Sequence, residues 1–508
     1  MMKDVIVAID IGTTNVKCVV ADRKMQVLAD CTSEYRTHST GIARFEQDCE
    51  DWWKHSKIAL SCALDRAGVS PSSVVGIAVS SQAPTMLPVD AAGKAVHPAL
   101  IWMDRRSDAQ CARMNECLGA DRIYEVTGNT ADPFYTFSEL LWFKQRRPEA
   151  YARMRCVLQC NGYVNFRLTG EFTIDRTHAS ITQCFDVNRG CWDEEILRCF
   201  DIPTGILPRL VECDEVIGGV CEAAAEETGL RPGTPVLGGA VDGAAASLEG
   251  GVFRGGDAVE MSGTSSVLLV GTDEKHSSPN LTYMYGAIPR QHLLLGCMST
   301  TGGALKWYRD ELFAQGEGNA YDRMNRIILA DCPNPTPLIF LPYMAGERAP
   351  IWDTHAKGAF LGVTFDTREA DMLRAIQEGA AFALMDNITE AKKAGAEIRS
   401  LRAVGGSTNS DIWMKIKASV TGMPIEIPRQ NLGAPGGLLA LLASKLGEFA
   451  SIREACGAIL EIERTVEPVN EWVDWYRDQF EIFKAYYRGC KDVFRMSDEA
   501  RQKYGTEG

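Results

Sequence analysis

One pattern occurs twice in this chain and restricts the folds open to it. Val5–Ile9 is a short apolar run that meets Asp10-Ile11-Gly12-Thr13-Thr14-Asn15, with a second apolar run, Val16–Ala21, behind it. The order reads as strand, tight turn, strand. Glycine lets the turn backbone approach a ligand, and successive N–H groups beside short hydroxyls make a cup for phosphate oxygens. Asp10, at the mouth of that cup, suits a magnesium ion held directly or through water. Taken alone, the stretch also fits an ordinary hairpin with an Asp–Gly turn. Ala258–Met261, however, leads in the same way into Ser262-Gly263-Thr264-Ser265-Ser266, and Val267–Val270 follows. Two hairpins of one design, half the chain apart, point to a duplicated unit. Two facing turns of this kind would clamp a polyphosphate from both sides.

At 508 residues there is room for two or more domains with cores of their own. With 45% hydrophobic and 24% charged residues the chain has the balance of a soluble globular protein. A net charge of -14, with no basic run or zinc-ligand pattern, argues against a nucleic-acid partner. The 17 cysteines are scattered singly without a Cys-x-x-Cys, so reduced thiols and a cytoplasmic location are expected. Cys156 and Cys160 have the spacing of one helix face, where small buried thiols fit better than a redox or metal pair. Met1-Met2-Lys3-Asp4 runs directly into the first strand without a signal-peptide core, and Leu438–Ala443 is too short to cross a bilayer. No membrane association is expected.

Between the hairpins, Gln47–Ala67 has the apolar spacing of a helix, through Trp52, Trp53, Ile58, Ala59, Cys62 and Ala63. Lys24–Cys31 supplies a third strand. Val74–Val79 reads as a buried strand opening into Ser80-Ser81-Gln82-Ala83-Pro84, at the carboxyl end where ligands sit in an open α/β sheet. Trp102-Met103-Asp104-Arg105-Arg106 sets an aromatic beside a carboxylate and guanidinium groups. That suits a polyhydroxylated ligand, and it equally suits a surface ion pair beside a core tryptophan. Asp108–Leu118, Ser138–Gln145 and Gly162–Leu168 are helix candidates. Val241-Asp242-Gly243-Ala244-Ala245-Ala246 places a carboxylate at a helix start, where the dipole favours its charged form and where a plain cap is the alternative. Further on, Thr300-Thr301-Gly302-Gly303 opens a helix, and Arg374–Lys393 is another. Leu401–Val404 is a strand entering Gly405-Gly406-Ser407-Thr408-Asn409-Ser410, a turn suited to the sugar, α-phosphate or base edge of a nucleotide. Glu471–Phe494 is a last helix whose stripe of Trp475, Tyr476, Phe480, Phe483 and Tyr487 is expected to pack on the second domain.

Asp10-x-Gly-Thr-Thr, Asp242, Met261-Ser-Gly-Thr and Gly405-Gly-Ser, in this order, resemble the FGGY family of carbohydrate kinases. Gly346-Glu-Arg-Ala-Pro-Ile-Trp-Asp and Lys357-Gly-Ala-Phe-Leu-Gly add to the likeness, which spans essentially the whole chain. The resemblance implies an α/β fold of two actin-like ATPase (ribonuclease H-like) domains with an interdomain cleft. Residues 1–247 would form the sugar-binding domain and residues 248–508 the nucleotide-binding one. By position, Asp242 resembles the family's catalytic aspartate and Asp10 its metal-associated carboxylate. Thr13, Thr14, Gly263 and Thr264 resemble phosphate-loop residues, Gly303 a position near the nucleotide, and Gly405, Gly406 and Asn409 the adenosine-side turn. Gln82, Asp104 and Arg106 resemble sugar contacts of the xylulokinase branch.

The implied reaction transfers the γ-phosphate of ATP, with Mg²⁺, to a hydroxyl of a small ketose such as the pentulose xylulose. Asp242 accepts the proton and needs no raised pKa for the task. Two departures bear on the substrate, and a third, at Glu139, lies away from the chemistry and is read as structural. Pro84 stands where the branch's Gln-Met-His-Gly motif has histidine, Met103 where it often has asparagine, and Glu139 where the family signature usually has lysine. Gluconate, glycerol, erythritol and 6-deoxyketoses are therefore alternative acceptors, with Arg105 and Arg106 as candidate contacts for an acid. An actin- or chaperone-like ATPase is the rival class, and a homodimer is a candidate assembly.

Overall fold

Two seven-stranded sheets carry the chain. The computed structural model describes residues 4–41, 43–314, 316–429 and 432–504, so Met1–Lys3 fall outside the described residues. The first sheet is built from β1 (Val5–Ile11), β2 (Asn15–Asp22), β3 (Val27–Glu34), β4 (Val74–Ser81), β5 (Val216–Gly219), β6 (Pro235–Leu237) and β7 (Ala240–Val241). Their order is β5-β6-β4-β1-β2-β3, with β7 beside the end of β4. β1 runs antiparallel to β2 and parallel to β4. Every residue of β1 is buried except the half-buried Asp10, as a strand covered on both faces requires.

Helix α1 (Cys49–Ala67) crosses between β3 and β4 and lies over β2 and β3. It starts two residues later than its apolar spacing suggests, because Asp48 caps it by accepting from Glu50 N; Gly68, in the left-handed region, ends it. β3 likewise begins at Val27 rather than Lys24. Asp22 Oδ1 accepts from the N–H groups of Lys24 and Gln26 and folds that stretch into a turn. Helices α2 (Arg176–Ser180) and α3 (Asp242–Glu249) complete the part of this domain that matters for the site.

The second sheet repeats the plan. Its strands are β8 (Asp257–Ser262), β9 (Ser266–Thr272), β10 (Thr282–Tyr285), β11 (His292–Met298), β12 (Ser400–Gly405), β13 (Ile425–Pro428) and β14 (Ile462–Val466), in the order β10-β11-β9-β8-β12-β13-β14. The run β3-β2-β1-β4-β6 in the first sheet corresponds to β11-β9-β8-β12-β13 in the second. Each has an antiparallel hairpin, a third antiparallel strand, and a parallel neighbour reached through a helix. α4 (Gly302–Glu311) follows β11, and α5 (Glu369–Lys393), the counterpart of α1, precedes β12. α6 (Asp411–Thr421), α7 (Ala434–Lys445), α8 (Ile452–Ile459) and α9 (Asn470–Tyr504) follow. This is the two-domain actin-like, ribonuclease H-like architecture.

The two domains share a core. α7 comes between β13 and β14 of the second sheet in sequence, yet it packs on β1 and β4 of the first. A methyl on Gly76 would stand 3.0 Å from Leu442 Cδ2. Ile6, Ala8 and Ala78 of one sheet and Val259 and Leu269 of the other belong to a single apolar cluster with Leu438–Ala443. Leu438, Leu439, Leu441 and Leu442 are almost fully buried there, which contributes roughly 6–12 kcal/mol before the entropy of ordering them. α7 crosses α3 so closely that a Cβ on Gly437 would lie 1.9 Å from the carbonyl oxygen of Ala245.

Three expectations are corrected. Cys156 lies on a short strand, Cys156–Leu158, and Cys160 opens the next helix, so they share no helix face. Cys31 on β3 and Cys62 on α1 are joined as a disulfide, because α1 lies across β3 and brings them opposite one another. In α9 the buried stripe is Tyr476, Phe480, Phe483 and Tyr487, and Trp475 is exposed. No helix among the described residues is long and apolar enough to cross a membrane.

Candidate functional site

The first hairpin turn is held from below by its own domain. Gly12 N donates to Asn15 O, Tyr35 OH donates to Gly12 O, and Thr37 Oγ1 and Gln47 Nε2 both donate to Thr13 O. Trp102 Nε1 donates to Thr13 Oγ1 at 3.1 Å, which leaves the hydroxyl proton of Thr13 free for a ligand; Thr14 is exposed beside it. The second turn is anchored in the same spirit. Thr264 O accepts from Thr301 N and Gly303 N, while Gly263 and Thr264 are exposed. Close backbone approach explains the glycines around it. A Cβ on Gly302 would stand 2.3 Å from Gly263 O, and one on Gly405, whose φ is +97°, would stand 2.1 Å from Ser262 O. Gly303, Gly263, Thr264 and Gly405 thus meet in one place, and Gly406 and Asn409 form its exposed rim on the short 3₁₀ turn Gly406–Asn409.

Asp10 and Asp242 come together from opposite sides of β4. β1 pairs Asp10 with Ser80, whose hydroxyl donates to Asp10 Oδ1 at 2.7 Å; β7, paired to the end of the same strand, delivers Asp242. Neither carboxylate has an ion-pair partner among the described residues. Burial holds the Asp10 carboxyl above its usual range, opposed by the Ser80 hydrogen bond and by Lys17. Asp242 is pushed up to about 7, first by burial and then by the neighbouring Asp10, against the Gly243 N–H and His178. This corrects the expectation that its helix-terminal position favours the charged form: desolvation and a like charge outweigh the dipole. Asp242 Oδ1 accepts from Gly243 N at 2.6 Å at the first turn of α3, which has no side-chain cap. Asp10, without an ion-pair partner among the described residues, is the kind of hard oxygen donor that Mg²⁺ takes together with substrate phosphates, so the residues present fit that ion.

Gln82 lies one residue beyond β4. Its Nε2 donates to Gln47 Oε1, tying it to the Thr13 turn, while its Oε1 is buried without a partner. Asp104 and Arg106 are placed differently from the expectation of sugar contacts. Asp104 is fully buried and accepts from Phe45 N, Arg106 N and the Arg106 guanidinium. Arg106 also donates to Glu46 Oε1 at 2.7 Å and stacks on Trp142. The two side chains spend their hydrogen bonds on each other and on the loop that carries Trp102. Arg105 is paired with Asp132.

Three groups escaped the sequence reading. Asp175 and His178 are completely buried beneath the site, with His178 Nδ1 2.6 Å from Asp175 Oδ2 and its Nε2 3.2 Å from Ser81 Oγ. Thr177, hydrogen-bonded to Asp175, accepts from Val241 N, so this knot grips the residues preceding both Gln82 and Asp242. In the second domain, Lys417 and Glu260 form a buried ion pair that also reaches Ser407 Oγ, beside Gly405 and Gly406. Finally, Glu347 Oε1 accepts from Ser299 N and Arg348 N, and Arg348 lies over the Trp102 ring. The Asp-x-Thr-His run and the Gly-Glu-Arg turn were visible in the sequence, but nothing local says which segments they meet.

Glycine-threonine turns repeated on duplicated sheets, with Asp10 and Asp242 brought together at the end of β4, are the arrangement of a two-domain phosphotransferase of the actin-like ATPase class. Residues 5–249 match the N-terminal domain, and residues 258–445 the C-terminal domain, of one family, and the chain belongs to it: the FGGY family of carbohydrate kinases. It is 26% identical over 495 residues to a xylulose kinase of Staphylococcus epidermidis, covering 97% of this chain and 98% of that one. It is 29% identical over 480 residues to a glycerol kinase of Oleidesulfovibrio alaskensis, covering 92% and 95%. The crystal structure of xylulose kinase from Rhodospirillum rubrum matches the fold with a TM-score of 0.90 at 25% identity, over 97% of this chain and 100% of that one. The protein is thus an ATP-dependent kinase of a sugar or polyol.

Proposed function

We propose that this kinase phosphorylates a hydroxyl of a small neutral ketose, a pentulose such as xylulose, with Asp242 as the general base. The observation that carries the reading is Asp242 itself. It is half-buried, free of any ion pair among the described residues, beside Asp10, and poised near neutrality. Such a carboxyl can take a proton at working pH and release it afterwards. The acceptor oxygen forms its bond to the γ-phosphorus as its proton passes to Asp242, and the bond from that phosphorus to the bridging oxygen of ADP breaks. Backbone N–H groups and hydroxyls at Thr13, Thr14, Gly263 and Thr264 hold the phosphates, with Gly303 alongside. Gly405, Gly406 and Asn409 take the adenosine end. Asp10 is the carboxylate for Mg²⁺, which when bound neutralises charge on the phosphates.

Gln82 Oε1, buried and unpartnered, is suited to accept from a sugar hydroxyl, and Asp104 with Arg106 supports the acceptor loop from behind. A neutral acceptor is favoured because Arg105 and Arg106 are each neutralised by a carboxylate. ADP release measured over a panel of pentuloses, hexuloses, 6-deoxyketoses, polyols and aldonic acids, with mass spectrometry of the product, tests this. A pentulose with the highest kcat/KM is the expected result; preference for an aldonic acid or glycerol overturns it. Analytical ultracentrifugation would reveal the homodimer that is the candidate assembly.

A further inference from the structure

The turn Gly346-Glu347-Arg348 has no part in the chemistry described so far, yet it closes the site from the second domain. Arg348 is half-buried and has neither an ion pair nor a side-chain hydrogen bond among the described residues. Its guanidinium carbon lies 5.8 Å from the centroid of Trp102, a residue of the first domain. Trp102 is in turn hydrogen-bonded to the hydroxyl of Thr13 in the first phosphate-type turn. The backbone beneath Arg348 is fixed from the other side. Glu347, 4% exposed, accepts from Ser299 N just beyond β11, three residues before α4 opens against Thr264, and its second carboxylate oxygen has no partner. The Cys297 thiol, near the end of β11, feels the charges of both Arg348 and Asp242. An unpaired cation therefore stands on Trp102, which is bonded to the first turn, and on a backbone turn tied to the segment that leads to the second.

We infer that Arg348 is a catalytic residue whose guanidinium engages the equatorial oxygens of the phosphoryl group in flight, with the Trp102 face as its seat. The inference rests on the kinase reading of the site and adds a residue to it. A planar guanidinium matches phosphoryl oxygens in a bidentate manner, and its charge is of most use when the group is loosely bound to both oxygens. Trp102 holds the cation over the site by cation–π attraction without neutralising it. No further proton moves: Arg348 stays charged throughout, and the acceptor proton still goes to Asp242.

The test uses the full chain with Arg348→Gln, Arg348→Lys and Trp102→Phe. Calorimetry compares binding of Mg–ADP with binding of Mg–ADP plus aluminium fluoride, a mimic of the transferring group that does not depend on knowing the best acceptor. Arg348→Gln is expected to leave ADP affinity within about twofold. It should weaken the fluoride complex and lower kcat by about 10²–10³-fold for every acceptor turned over. Lysine should recover part of the loss, and Trp102→Phe should lose less than glutamine at 348. Equal weakening of ADP and of the fluoride complex would overturn the inference, as would unchanged kcat. So would a loss confined to KM for acidic acceptors, which would make Arg348 a carboxylate contact instead. Failure to turn over any ketose, with the fluoride complex still dependent on Arg348, would count against the proposed acceptor and not against this residue.

Discussion

Lys417 offers a sharp quantitative test of how the turn proposed for the adenosine end is held. Its ammonium is 1% exposed, lies 2.6 and 2.7 Å from the two oxygens of Glu260, itself 2% exposed, and donates to Ser407 Oγ at 3.0 Å. Ser407 in turn bonds Ser262, so β8 and the turn after β12 meet at this one cation. Burial holds the lysine below its ordinary range, and Glu260 is what keeps it charged. Removing one partner strands a buried charge, which costs about 3–5 kcal/mol, whereas replacing both with apolar groups is close to neutral. Lys417→Met and Glu260→Gln should each lower the melting temperature of the protein, whose two domains share a core, by about 3–5 °C. Lys417→Met/Glu260→Leu should recover most of that. Calorimetric melts and a double-mutant cycle measure the coupling. KM for ATP should rise in Lys417→Met more than KM for the acceptor, since Ser407 loses one of its two side-chain hydrogen-bond partners and keeps only Ser262. A Lys417→Met variant within 1 kcal/mol of the parent, or strictly additive single and double changes, would refute the reasoning.

Asp242→Asn should reduce kcat by about 10²–10⁴-fold with acceptor affinity kept, as steady-state kinetics and acceptor titration would show. The same variant should be more stable than the parent above neutral pH. A carboxyl raised from about 3.8 to about 7 in the folded state makes the fold lose stability as pH climbs between those values, at about 1.4 kcal/mol per pKa unit, and asparagine removes that loss; denaturant melts at pH 5 and pH 8 would reveal the difference. The parent's kcat/KM should increase with pH through about 7 and then level off, since only deprotonated Asp242 accepts a proton. Gly437→Ala should force α7 away from Ala245, costing about 1–3 kcal/mol and lowering kcat because α3 carries Asp242, which melts and turnover would show together. Gly405→Ala should raise KM for ATP with little change for the acceptor, read from initial rates, because the new methyl meets Ser262 O.

Elements with one clean local signal were legible before the fold was known. The two hairpins, the helix opening at Asp242 and the strand entering Gly405-Gly406 follow from turn chemistry and from apolar runs that neighbouring residues settle among themselves. Side-chain partnership across the fold was not legible. Asp104 and Arg106 look the same in sequence whether they hold a sugar or each other, and only the approach of Phe45 N and Glu46 decides it. The pKa of Asp242 depends on Asp10, more than two hundred positions earlier in the chain. His178 finds Ser81 only because α2 is folded beneath the end of β4. Glu139 is a case of another kind. It is fully buried with both oxygens unpartnered, held well above the usual carboxylate range by burial and by Asp104. Nothing in the structure explains the acid there.

The placement of α7 has a consequence for cutting this enzyme apart. A fragment ending after α3 would contain every strand of its own sheet and still leave the apolar faces of Ile6, Ala8 and Ala78 bare, because Leu438–Ala443 arrive from a segment made much later. During synthesis the leading half must wait, partly uncovered, until nearly the whole polypeptide has emerged. Neither half is then an autonomous folding module, and recombination between relatives should succeed only when α7 is inherited with the strands it roofs.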